Sequence, residues 1–183
     1  MTVKPLIALL CFLHWGGVSA AGDDSVAASH RHCFLRQTQV AAVKARLKAG
    51  DPALQPIYEQ LLSEAQSAIG AGPFSVMQKK LVPPSGDKHD YMSLGPYWWP
   101  DPNKPDGLPY IRRDGKVNPE SRSEDLDKNA YSEMKDAVTT LALAFYLSER
   151  PEFAEHAAQL LRVWFLDDST KMNPNLEFGQ AIP

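Results

Sequence analysis

Between Tyr91 and Pro102 the chain reads YMSLGPYWWPDP, which places Tyr91, Tyr97, Trp98 and Trp99 within nine positions. Aromatic faces of this kind stack on the apolar C–H faces of a sugar ring, and cations beside them pair with a carboxylate. Arg112 and Arg113 supply such cations, although an ordinary solvated turn with Asp114 and Gly115 accounts for them equally well. His89, the only histidine between Gly70 and Ser123, suits proton transfer or carboxylate binding, as Tyr91 suits proton transfer; an exposed or capping histidine is the plainer reading. Tyr97, Trp98 and Trp99 suit either sugar subsites or plugs that fix the loop to the helices. Asn173, Asn175 and Gln180 are neutral amides in a proline-interrupted segment, placed to project into a cleft, though turn chemistry alone also favours Asn there.

Pro96, Pro100 and Pro102 remove backbone donors and bias their predecessors away from helix. The aromatic stretch is therefore a stiff loop, and helices on either side must hold it. From Thr38 to Lys48, Val40, Val43 and Leu47 recur at helical spacing, with Gly50 as terminator. Asp51 is placed to cap and Pro52 to start a second helix, whose face of Leu54, Ile57, Tyr58, Leu61, Ala65 and Ile69 runs to Gly70. This predicts a helix hairpin. Tyr131, Met134, Val138, Leu141 and Phe145 predict a third helix, with an end apolar nearly all round and so buried on several sides. Pro151 opens a fourth, with Phe153, Ala157, Leu160, Leu161 and Trp164 inward, after a connection short enough for a second antiparallel hairpin. His156 falls between these inward positions and reads as packing. No run alternates with period two long enough to predict a sheet. The class is all-α.

The segment from Gly70 to Ser123 is too long for a plain connector, and its aromatic content opposes disorder. It is also the most basic part of an acidic chain. Lys79 to Arg122 holds eight basic and six acidic residues, whereas Ser123 to Pro183 holds five and eleven; the whole chain of 183 residues carries a formal charge of −3. Rings with cations also suit single-stranded nucleic acid, but export and net acidity argue against that partner.

Export follows from the first residues. Lys4, the apolar run Leu6–Trp15 and the small residues Val18, Ser19 and Ala20 form a secretory signal peptide over 1–21. A flexible mature N-terminus over 22–34 and a domain from residue 35 are expected to follow, with periplasmic or secreted localisation and no membrane association after cleavage. Cleavage leaves Cys33 as the only cysteine, so no internal disulfide is expected. His30, His32 and Cys33 fall short of the usual four ligands of a structural zinc. Neither metal nor cofactor is expected.

Two longer stretches carry a resemblance. Residues 89–102, HDYMSLGPYWWPDP, continued by Gly107-Leu108-Pro109-Tyr110 and Asp114–Glu120, resemble the N-terminal signature of bacterial alginate lyase family proteins, and residues 172–183, MNPNLEFGQAIP, resemble a second signature of that family. The resemblance spans roughly residues 35–183, the N-terminal part of such a catalytic domain. It implies antiparallel helix hairpins forming part of an incomplete α/α toroid around a cleft, and an anionic polysaccharide as substrate. It implies β-elimination in a uronic-acid polymer, which needs the C5 carboxylate neutralised, a base for the C5 proton and an acid for the departing O4. In the family an Asn or Arg neutralises the carboxylate and His and Tyr move protons, from helices later in the toroid. Those positions are expected beyond Pro183, so residues 21–183 alone are expected to show no lyase activity. The alternatives are a toroidal glycoside hydrolase, with paired carboxylates drawn from Asp87, Asp90, Asp101 and Asp106, and a non-catalytic carbohydrate-binding helical protein. A repeat protein should show self-similarity at a fixed period, which the two hairpins lack.

Overall fold

In the computed structural model residues 36–183 are described. The expected signal peptide, the mature N-terminus and the His30–Cys33 group lie outside the described residues. Helix α1 spans Gln37–Lys48 and α2 spans Gln55–Ala68. Gly50 adopts φ +75° between them, a conformation that a residue without Cβ adopts at little cost. The second helix begins three residues later than Pro52 suggests. Asp51 Oδ1 accepts from Ala53 N at 3.0 Å and so caps a separate turn, while Pro56 takes the early helical position that lacks a donor requirement.

Helix α3 spans Asp127–Ser148 and α4 spans Pro151–Phe165. Glu149, at φ 61°, ends α3, and Pro151 starts α4 two residues later. The second hairpin packs side by side along these helices, as its apolar spacing predicts. The first hairpin does not pack that way, because α2 lies chiefly against α3 rather than α1. Leu61 and Ala65 of α2 are buried, whereas α1 buries only Val40 and Val43. Trp164, Phe153, Leu54, Leu141, Leu160 and Val43 are the largest apolar side chains withdrawn from water, and they join one core across the four helices. Two inward assignments do not hold. Leu161 is 39% exposed on α4, and the end of α3 is buried through Leu143 and Leu147 but not all round, since Phe145 is 40% exposed and Tyr146 38%. Nothing among the described residues covers those faces.

The predicted loop contains short strands that the sequence does not announce. Strand β1 (Met92–Leu94) pairs in parallel with β4 (Phe178–Ala181), and β2 (Trp98–Trp99) pairs antiparallel with β3 (Ile111–Arg112). Two to four residues are too few for an alternating pattern to register. Single 3₁₀ turns over Val76–Gln78 and Pro119–Arg122 complete the segment. Among the described residues no helix is long and apolar enough to cross a membrane, and no group of three or more His, Cys, Asp or Glu is placed to hold a metal.

Candidate functional site

The parallel β1–β4 pair joins the two stretches singled out above. Met92 pairs with Phe178 and Leu94 with Ala181, with an irregularity between. There Ser93 is buried and its Oγ accepts from Gln180 N at 2.9 Å. Gln180 holds φ 54°, unusual for a residue with a side chain. Gly179 beside it is confined, since a Cβ there would meet Leu176 O at 3.0 Å. Beside this junction lies an open groove of about 820 Å³, walled by Tyr91 and Ser93, by Tyr131 of α3, by Phe165 at the end of α4, and by Asn175 and Gln180 of the late segment.

Its walls are neutral. Burial pushes the Tyr91 phenol up, with smaller contributions from the Asp127 charge and Tyr131, against a lowering hydrogen bond with Ser93. Tyr91 therefore stays protonated and keeps an O–H that can donate. Its ring meets Tyr131 edge-on with centroids 6.1 Å apart, and Tyr131 in turn lies 5.7 Å from Trp164, whose Nε1–H donates to Met172 Sδ at 3.0 Å.

Behind the groove, Asp90 is buried and accepts from Ser85 Oγ at 2.7 Å, Asn173 Nδ2 at 2.8 Å and Asn175 Nδ2 at 3.0 Å. These bonds, Asn173 first, hold its carboxyl below the usual carboxylate range. Asn173 also donates to Asp87 Oδ2 at 3.0 Å, so its amide nitrogen is committed to carboxylates. Asn175 reaches the groove wall while tied to Asp90. His89 is held by the same junction: its carbonyl accepts from Asn173 N and its Nδ1 lies 2.6 Å from Lys171 O. A carbonyl only accepts, so Nδ1 carries a proton and donates it. His89 does not line the groove. His156 lies elsewhere, with Nε2 3.0 Å from Ala71 O.

The three adjacent aromatics form a separate surface. Trp98 pairs with Arg112 and Trp99 with Ile111. Trp99 Nε1–H donates to Lys116 O at 2.8 Å, and the Arg113 guanidinium lies over the Trp99 ring at 5.6 Å. Arg112 turns to Asp114 at 2.7 Å, and Tyr97 is 41% exposed. Thus Tyr91, Asn175 and Gln180 come together in the groove, whereas Tyr97, Trp98, Trp99, Arg112 and Arg113 gather on the β2–β3 ribbon. Tyr131 belongs to the groove as well; sequence reading assigned it to the helix interior, because helical spacing alone does not tell a core face from a cleft face. A buried ion pair also went unread: Lys79 Nζ lies 2.9 Å from Asp127 Oδ2, with both side chains withdrawn from water.

A family model described as alginate lyase matches residues 75–183, a span that includes both paired stretches. The chain is thus a member of a lyase family. It belongs to the alginate lyase family. It is similar to the crystal structure of an alginate lyase from Bacteroides ovatus, with 53% identity and a TM-score of 0.73, over 79% of this chain and 37% of that one. The chain accordingly spans 37% of the length of that enzyme. No curated protein matches it.

Proposed function

We propose that the protein acts as a polysaccharide lyase on a uronic-acid polymer, alginate or a related uronan, by β-elimination at C5. The observation that carries this reading is the β1–β4 junction, which sets both signature stretches against one neutral groove. Abstraction of the C5 proton becomes easier when the adjacent carboxylate is held by hydrogen-bond donors aimed at its developing charge. The amides of Asn175 and Gln180 are donors of that kind, and the protonated Tyr91 phenol is a third. On this reading the hairpins form part of an incomplete α/α toroid, the ribbon with Trp99 and Arg113 extends the binding surface along the polymer, and the protein works after export, in the periplasm or outside the cell.

Hydrolysis is the second reading, and it needs two carboxyl groups flanking the bond. Among the described residues the groove wall contains neither Asp nor Glu, and Asp90 is committed to its amide partners. Incubation of the full-length protein with alginate separates the two. Elimination leaves a C4–C5 double bond that absorbs in the ultraviolet, in step with new reducing ends. Reducing ends without that absorbance would establish a hydrolase.

A further inference from the structure

We infer that the buried Lys79–Asp127 pair is a positioning device for the groove, resting on the lyase reading above, and that it holds Tyr91 and Tyr131 at their working separation. Asp127 and Tyr131 stand four residues apart on α3 and so share one of its faces. Asp127 Oδ2 accepts from Met92 N at 2.8 Å, one residue past Tyr91 and at the start of β1. One carboxylate oxygen thus fastens the strand that follows the first tyrosine to the helix that bears the second. Lys79 completes the clamp. Its ammonium spends all three donors, on Asp127 Oδ2 at 2.9 Å, Val76 O at 2.8 Å and Lys88 O at 2.6 Å. It thereby draws the 3₁₀ turn and the residue before His89 to the same point.

Stability alone does not account for such a pair. Ions taken fully out of water lose their hydration, and well-packed apolar replacements of both partners are often neutral or stabilising. The desolvation is visible here, since burial pulls Lys79 down and Asp127 up, each toward its neutral form, against their mutual contact. Asp127 Oδ1 is moreover buried with no hydrogen-bond partner. What the pair uniquely supplies is direction: hydrogen bonds at fixed geometry from one point to three segments. An apolar cluster would leave β1 without a directed bond to α3.

The test uses the full-length protein with Lys79→Met and Asp127→Leu combined, and Asp127→Asn and Asp127→Ala singly. The double variant should keep its melting temperature within a few degrees. Its kcat/KM on alginate, measured well below melting, should fall by about tenfold or more, and the near-ultraviolet circular dichroism of the Tyr91–Tyr131–Trp164 cluster should change. A pair with a merely structural role predicts that a stable double variant keeps both rate and spectrum, and that result would overturn the inference. If the double variant does not fold, Asp127→Asn and Asp127→Ala decide: the Asn amide oxygen still accepts from Met92 N, so Asn should keep most of the kcat/KM that Ala loses, and equal kcat/KM in the two variants counts against the clamp. If the wild-type protein yields no unsaturated product, the lyase reading fails. The aromatic spectrum then tests the clamp without reference to turnover.

Discussion

Asp90 shows how much of the groove rests on single side chains. Three neutral donors converge on its carboxylate, and two of them, Asn173 and Asn175, come from the late segment. Replacing Asp90 by Ala takes this acceptor from Asn175 and Ser85 and leaves Asn173 with Asp87 alone, at a cost of about 2–4 kcal/mol by chemical denaturation at pH 7. The pH dependence has a definite sign. The native carboxyl titrates below its ordinary value, so its contribution is complete above the unfolded value of about 3.9 and is lost as pH falls through the lower native one. The stability gap between wild type and Asp90→Ala should therefore narrow in acid below about pH 4; a gap that widens there would contradict the assignment. The sequence made Asn173 and Asn175 legible as polar groups in a turn. Their common acceptor was not, because it lies 83 residues from the first of them and nothing local marks the pairing.

Among the elements, the ribbon and the β1–β4 pair meet at Gly95. A Cβ on that residue would lie 2.7 Å from Trp98 Cδ1, and a rigid indole cannot yield without moving its strand. Gly95→Ala should thus displace Trp98 and weaken alginate binding, measured by calorimetry or affinity electrophoresis. Trp98→Ala and Trp99→Ala, made singly, should each weaken binding by about 1–3 kcal/mol if a stacked ring is an anchor. Unchanged affinity in both, with the fold retained, would leave the rings as fasteners of the ribbon, a role already visible in the bond from Trp99 to Lys116 O. Helices α3 and α4 were readable because apolar residues repeat through several turns and Pro151 marks a start. The ribbon escaped notice because two-residue strands carry no period, and the Asn118 side chain that also holds it, donating to Trp98 O at 2.9 Å, acts across 20 residues.

At the scale of the whole molecule, the described residues leave part of the apolar surface of α3 and α4 uncovered. Phe145 and Tyr146 of α3, Leu161 and Phe165 of α4, and Leu166 just beyond it are exposed, and apolar surface gathered in this way drives association. The 183-residue chain on its own should self-associate as concentration rises, by sedimentation velocity, and Phe145→Ser with Leu166→Ser should reduce this while helical circular dichroism is kept. A monomer at every concentration would count against it. Family membership was legible because two long stretches carry it together. The exposure of Phe145 was not, since an apolar helix end reads the same whether its cover lies within the chain or elsewhere.

The parallel pair also sets a timetable. Ser93 and Gln180, which bond across it, stand 87 residues apart. Closing so long a loop adds little to the equilibrium cost, which grows only with the logarithm of length. Synthesis is another matter. At about 5–20 residues per second, roughly 4–17 s separate the making of β1 from the making of its partner. Through that interval β1 presents an open edge, and open edges are where chains pair with the wrong neighbour. A nascent chain arrested before Phe178 should therefore resist protease within α2 and α3 yet be cut readily between Tyr91 and Trp99.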